Sequence, residues 1–213
     1  MPNDGLIESL VADLKPHSQL PRWAKWAALA GLAVLQVVLM LRVRGMRPDM
    51  PMAMMQPSIW WKGGSLAIIS LISVVAAVRS FVPASSPHTL LRLLIPALAV
   101  ALALGWLIDA GSAGFGQLVE RLDWRDGVSC MKQVVLLSIP AICVLGLMMR
   151  RGAATNPQGT ALAIGLAAAS WGAFVFVFSC PHDDPFYTAV WYSISVAAIG
   201  GIGRIILPLL TRW

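Results

Sequence analysis

Six long blocks of apolar residues, at 23–41, 64–82, 90–108, 133–149, 160–178 and 188–210, limit what this chain can fold into more than any other feature. Each approaches the roughly 20 residues that a helix needs to cross about 30 Å of hydrocarbon. The blocks are continuous rather than striped, so they do not read as the one-sided helices of a soluble core. Composition agrees, with 58% hydrophobic and only 12% charged residues among 213; soluble domains carry about 25% charged residues. The expected fold is all-α, a polytopic bundle of six transmembrane helices over 23–213, behind a short polar arm at 1–22. Six spans leave little length for a soluble domain. The first block starts late and further apolar blocks follow it, so no secretory leader is expected.

The net charge of +6 raises nucleic acid as a partner, but the cations sit singly or in pairs near the ends of the blocks. There they anchor to headgroups and set topology; no basic patch is interleaved with aromatics as in single-strand binders. Six crossings put both termini on one face with the loops near 79–87 and 150–156. That face holds Lys15, Arg22, Lys25, Arg79, Arg92, Arg150, Arg151, Arg204 and Arg212. The opposite face holds Arg42, Arg44, Arg47, Lys62, Arg121, Arg125 and Lys132. Nine against seven favours cytoplasmic termini, and the last opposite loop, with Asp183, Asp184 and no cation, agrees. Segment 115–124 (FGQLVERLDW) is amphipathic and is expected at the outer interface. Pro96, Pro140 and Pro208 fall inside spans, where neighbours must re-satisfy freed carbonyls. Gly200, Gly201 and Gly203 permit close helix contact.

Within the arm, Leu6, Ile7, Leu10, Val11 and Leu14 recur at helical spacing, with Asn3 or Asp4 as the N-cap and Pro16 as the stop. About three turns are too short to stand alone in water, so the stripe wants a surface. That surface is either the headgroup layer or a partner protein.

Chemistry-bearing residues are few. The spans contain almost no ionisable residue, and Asp109 and Arg204 lie near span ends, which speaks against an ion-coupled transporter. No HExxH, GxSxG or P-loop occurs, so no motif-bearing enzyme is supported. Three cysteines without CxxC spacing make no disulfide scaffold. Cys130, however, precedes the fourth span and Cys180 follows the fifth. Because those spans run antiparallel, both sulfurs fall on one face at similar depth. Cys143, inside the fourth span, reads as a small apolar filler. Around Cys180, the run CPHDDP adds His182, Asp183 and Asp184, a donor set suited to Zn, Cd or Cu(I); the alternative is a solvated loop. On the same face, five methionines crowd residues 46–55. Met50, Met52, Met54 and Met55 are soft donors for Cu(I) or simply flexible packing.

Three stretches carry a resemblance to a known family. They are the arm 6–16 (LIESLVADLKP), the connection 150–157 (RRGAATNP) and the lead-in to the last span, 180–192 (CPHDDPFYTAVWY). Together with six spans and the placement of Cys130, they resemble the NrsF-type membrane anti-sigma factors, negative regulators of an extracytoplasmic-function (ECF) sigma factor. The resemblance covers nearly the whole chain. It implies a non-enzymatic protein of the bacterial inner membrane with both termini cytoplasmic and Cys130 and Cys180 periplasmic. The arm, through Leu6, Ile7, Leu10, Val11 and Leu14, would hold the ECF sigma factor, and the cysteine pair would release it under heavy-metal or oxidative stress. Partners are then the sigma factor and membrane lipids, with no nucleic acid or small-molecule substrate. No cofactor is required, though a regulatory Cu, Zn or Cd ion fits the donors. The alternative is a membrane thiol oxidoreductase or a copper or metal transport protein. The first generally needs two thiol pairs, and the second needs ligands along the interior of the spans.

Overall fold

The computed structural model describes residues 21–82, 85–110 and 120–210. The arm with its Leu6, Ile7, Leu10, Val11 and Leu14 stripe, and most of segment 115–124, lie outside the described residues. The elements are α1 (Arg22–Val43), α2 (Met50–Ala53), α3 (Pro57–Ser80), α4 (His88–Ala110), a 3-10 turn (Glu120–Leu122), α5 (Trp124–Arg150), α6 (Pro157–Val177) and α7 (Pro185–Leu210). The fold is all-helical, with no strand among the described residues. All but α2 and the 3-10 turn are long and apolar enough to cross a membrane, and they match the six apolar blocks in order.

Two helices start well before their apolar blocks, α3 at Pro57 and α5 at Trp124. Pro57 occupies the first turn of α3, where its missing N–H is no loss. The Asp123 carboxylate accepts from the backbone N–H of Arg125 at 3.0 Å and of Asp126 at 3.3 Å, capping α5. Apolar windows register hydrocarbon depth, not the polar turns that extend past it. Lys62 and Cys130 therefore stand on helices rather than in loops.

The centre of the bundle is α6. Of its apolar window 78% is buried, against 6% for α4 and 11% for α1, which lie on the outside of the bundle. The buried positions of α6 are mostly small, including Ala161, Ala167, Ala168, Gly172 and Ala173. Without a hydrophobic force between helices in lipid, such residues let backbones approach and gain dispersion contact. Helices α3, α5 and α7 pack around α6, and α4 closes against α3 and α7. A Cβ on Gly165 would lie 2.9 Å from Gly200 Cα, so α6 and α7 meet backbone to backbone. Gly203 lines the same crossing, whereas Gly201 faces open space. Pro140 deprives the Leu136 carbonyl of its helical donor. One residue on, Gln36 of α1 donates to the Leu137 carbonyl at 2.7 Å while accepting from Trp171 Nε1 at 2.9 Å.

Contacts fix the two ends of the bundle. At the end where α6 begins, the Ala153 N–H donates to the Phe81 carbonyl at 3.2 Å, and Asn156 Nδ2 lies 2.8 Å from His88 Nε2. At the other end the segment after α1, the 3-10 turn before α5 and the segment after α6 converge. Gly45 closes α1 with φ of +75°, its N–H donating to the Leu41 carbonyl at 3.1 Å, a left-handed cap that favours glycine. The Gly45 carbonyl then accepts from Ser179 Oγ at 2.8 Å, joining the segment after α1 to the segment after α6.

Candidate functional site, a buried thiol pair

At that converging end, α5 presents Cys130 and the segment after α6 presents Cys180. Their sulfurs are 3.9 Å apart and both residues are buried. A disulfide would need about 2.05 Å, so both thiols are free. Cys180 is fixed by its N–H, which donates to the Phe176 carbonyl at 3.0 Å. The Tyr187 hydroxyl donates to Cys130 Sγ at 3.4 Å.

Lys62 of α3 lies beside the pair and is only 1% exposed. Its ammonium donates to the His182 carbonyl at 2.8 Å and sits 5.0 Å from the centre of the Tyr192 ring. Among the described residues no carboxylate pairs with it. The Cys130 thiol, donating to the Cys180 sulfur, holds the Cys180 thiol well below its ordinary range; burial opposes this, and the Lys62 charge adds to it. A lowered thiol gains thiolate character, and the thiolate is the form that attacks electrophiles and binds metals.

His182 completes a cluster, since one donor atom each of Cys130, Cys180 and His182 lie within 4.8 Å of one another. Its Nε2 is 3.1 Å from an Asp126 carboxylate oxygen, its ring stacks on Tyr187 at 4.6 Å, and its Nδ1 is buried without a hydrogen-bond partner. A carboxylate on one ring nitrogen and a free second nitrogen is the arrangement of metal-binding histidines. Two sulfurs and one imidazole nitrogen suit a soft or borderline ion.

The other sequence-selected residues are placed elsewhere. Asp183 pairs with Arg47 Nη2 at 2.7 Å, and Asp184 accepts from Arg121 at 2.7 and 2.6 Å. Neither carboxylate belongs to the sulfur cluster. Arg47 also donates to the Cys180 carbonyl at 2.9 Å and to Asp49 at 2.7 and 2.5 Å. Arg121 also pairs with Asp109 at the end of α4. The loop CPHDDP is thus clamped by Arg47 from the segment after α1 and by Arg121 from the 3-10 turn before α5. Asp184 additionally caps α7, accepting from the Phe186 N–H at 2.8 Å. Met50 is buried, while Met52, Met54 and Met55 are exposed, so the four methionines share no single surface. Cys143 is exposed on α5 and does not fill the interior.

Arg47, Lys62, Arg121, Asp126 and Tyr187 also build this end. In the sequence, Arg47, Lys62 and Arg121 read only as cations that set topology, and nothing local marks Asp126 or Tyr187 as partners of the thiols.

The family model described as "Negative regulator of sigma F" matches residues 10–213. The chain is 29% identical to the anti-sigma-F factor NrsF of Caulobacter vibrioides, over the full length of both. It is 26% identical to the probable anti-sigma-F factor NrsF of Azospira oryzae, over 83% of this chain and 82% of that one. No solved structure matches the chain. The match over residues 10–213 shows that the chain belongs to the NrsF family of anti-sigma factors, the negative regulators of sigma F, a regulatory and non-enzymatic class.

Proposed function

We propose that this protein holds an ECF sigma factor at the bacterial inner membrane and releases it when Cys130 and Cys180 meet an oxidant or a soft metal ion. In this reading both termini are cytoplasmic and the thiol end of the bundle is periplasmic, an oxidising compartment. The observation that carries the reading is the 3.9 Å approach of two free, buried sulfurs. Closing it to a disulfide brings the two sulfurs nearly 2 Å nearer and pulls the start of α5 toward the segment joining α6 and α7. Binding an ion between Cys130, Cys180 and His182 tightens the same junction. Either effector acts only through its preference for one packing over another, and a few kcal/mol of preference is enough to reverse a two-state population.

The arm is the proposed holding element. Leu6, Ile7, Leu10, Val11 and Leu14 supply an apolar stripe of the kind that lies in a partner's groove. The direct test is recovery of a sigma factor from detergent extracts by the full chain and by a chain lacking 1–20. Recovery by the full chain alone is the expected result; equal recovery by both removes the arm from the mechanism. Cys130→Ser and Cys180→Ser should each keep the sigma factor bound and abolish release under cadmium or diamide. Normal release in both variants would falsify the sensing role.

A further inference from the structure

An apolar cavity of about 410 Å³ lies between α3, α4, α6 and α7, within the range of small-molecule sites. Trp61 Nε1 donates to the Ala101 carbonyl at 2.6 Å, which sets the Lys62 turn of α3 level with Leu102 of α4. From there the cavity follows α4 through Leu98 to Leu91, about 16 Å of helix. That is about half of a hydrocarbon core of roughly 30 Å, the depth of one lipid chain. Leu98 and Leu102 also contribute to the outer surface of the bundle, so the cavity has a side opening.

One charged residue, Lys62, lines the cavity, and it stands at the thiol end. Its ammonium lies 5.0 Å from the centre of the Tyr192 ring, and Thr188 stands one turn before Tyr192 on the same face of α7. The ammonium donates to the His182 carbonyl; among the described residues it makes no other hydrogen bond and meets no carboxylate. The Thr188 hydroxyl is buried without a partner. The Tyr192 hydroxyl is hydrogen-bonded to Cys180 and is not part of the site. A buried ammonium without a counter-charge is costly, and so is an unpaired buried hydroxyl. Both shortfalls fall at one end of an apolar groove one chain long.

We propose that this cavity binds a free fatty acid, its carboxylate at Lys62 and Thr188 and its chain along α4 toward Leu91. The carboxylate supplies the missing counter-charge and two acceptor oxygens, one for an ammonium N–H and one for the threonine O–H. A terminal head is required, because the loop bearing His182 closes over Lys62 and leaves it 1% exposed. A phospholipid phosphodiester carries a second chain below its charge and a headgroup alcohol beyond it, and this closed end admits neither. Charges within a membrane ordinarily have a partner, and here the partner is the ligand. The proposal rests on the six helices spanning a membrane and is independent of the sensing role.

The test uses purified full-length protein in nanodiscs of neutral phosphatidylcholine, with radiolabelled palmitate as the probe. Saturable binding of one palmitate per chain, above that of empty nanodiscs, is expected. Hexadecanol keeps the chain and lacks the charge, and it should compete about tenfold less well than unlabelled palmitate. Lys62→Met should weaken binding about tenfold or more, the worth of a hydrogen bond to a charged group. Thr188→Val should weaken it about fivefold and leave the ligand-free unfolding temperature no lower, since that hydroxyl has no partner to lose. Leu98→Trp, which fills the groove, should weaken binding about tenfold or more, matching the loss of a well-packed apolar contact. Diamide should still oxidise that variant at the parental rate, which shows it folded with its thiols in place. Absence of saturable binding overturns the proposal. So does equal competition by hexadecanol, an unaffected Leu98→Trp variant, or displacement of palmitate by phosphatidylglycerol, which assigns the groove to phospholipid. Sigma retention enters none of these readouts, so the sensing role and the fatty-acid site stand or fall separately.

Discussion

Arg47 grips Cys180 across 133 positions of sequence, its guanidinium donating to the Cys180 carbonyl at 2.9 Å and, from the same nitrogen, to Asp183 at 2.8 Å. Cys180 is thereby held by a residue of the segment between α1 and α2. Arg47→Leu leaves a buried carbonyl and a carboxylate unpaired, which costs about 3 kcal/mol. A lower unfolding temperature in detergent and faster alkylation of Cys180 by N-ethylmaleimide are expected. Arg47→Lys should recover only part of the loss, because an ammonium cannot serve Asp49, Asp183 and the carbonyl with one planar fork.

Cys180 should be thiolate at a pH where an ordinary thiol, near 8.5, is protonated. The first cause of the depression is the Cys130 thiol, followed by the charge of Lys62 against the effect of burial. Ultraviolet thiolate absorbance, which needs no access to the buried sulfur, reads this directly. Cys130→Ala removes the main donor and should move the absorbance step to higher pH. A profile unchanged by that substitution would assign the depression to Lys62 instead, which Lys62→Met then checks.

The Asp184 carboxyl is pushed up by burial, but Arg121 and the N–H groups of Tyr187 and Phe186 outweigh this and hold it below its ordinary value. A carboxylate depressed on folding stabilises fully above its unfolded value, about pH 4. That stabilisation fades as pH falls through the lower folded value. Thermal unfolding in detergent should therefore weaken between pH 5 and pH 3, with release of α7 from the α4 end. Asp184→Asn should be less stable at pH 6 and lose less on acidification.

Gly165 and Gly200 place α6 and α7 in backbone contact. Gly165→Val inserts atoms where the nearest neighbour is main chain and cannot rotate away, costing about 1–3 kcal/mol. Loss of monodispersity on gel filtration and a lower unfolding temperature are the expected readouts. Gly201→Val, pointing into open space, is the matched control and should leave both unchanged.

The adjacency of Cys130 and Cys180 was readable from the chain because it needs only the order and alternation of spans. Six apolar blocks supply both. The partners of Asp183 and Asp184 were not readable, since Arg47 and Arg121 lie 136 and 63 positions away. Nothing local distinguishes a clamping arginine from one that anchors to headgroups. Lys62 was hidden for a different reason. Hydropathy marks where the oily part of α3 begins, and a lysine just ahead of it looks interfacial, yet the loop bearing His182 folds over it. Asp109 looked cheap to solvate at a span end and is instead buried against Arg121. Sequence pattern gives depth along the membrane normal; it does not give the lateral arrangement that pairs charges.

The small-residue packing of α6 has a mechanical consequence. Its buried alanines and glycines have no rotamers with which to absorb a displacement, and close-packed interiors yield little volume under load. Along residues 161–173 few side chains can rearrange to dissipate a shift imposed at the Cys180 end. Such a shift is carried toward Pro157, at the far end of the helix, largely as a movement of the helix itself. The segment 150–156 that links α5 to α6 is where such a stroke would be delivered.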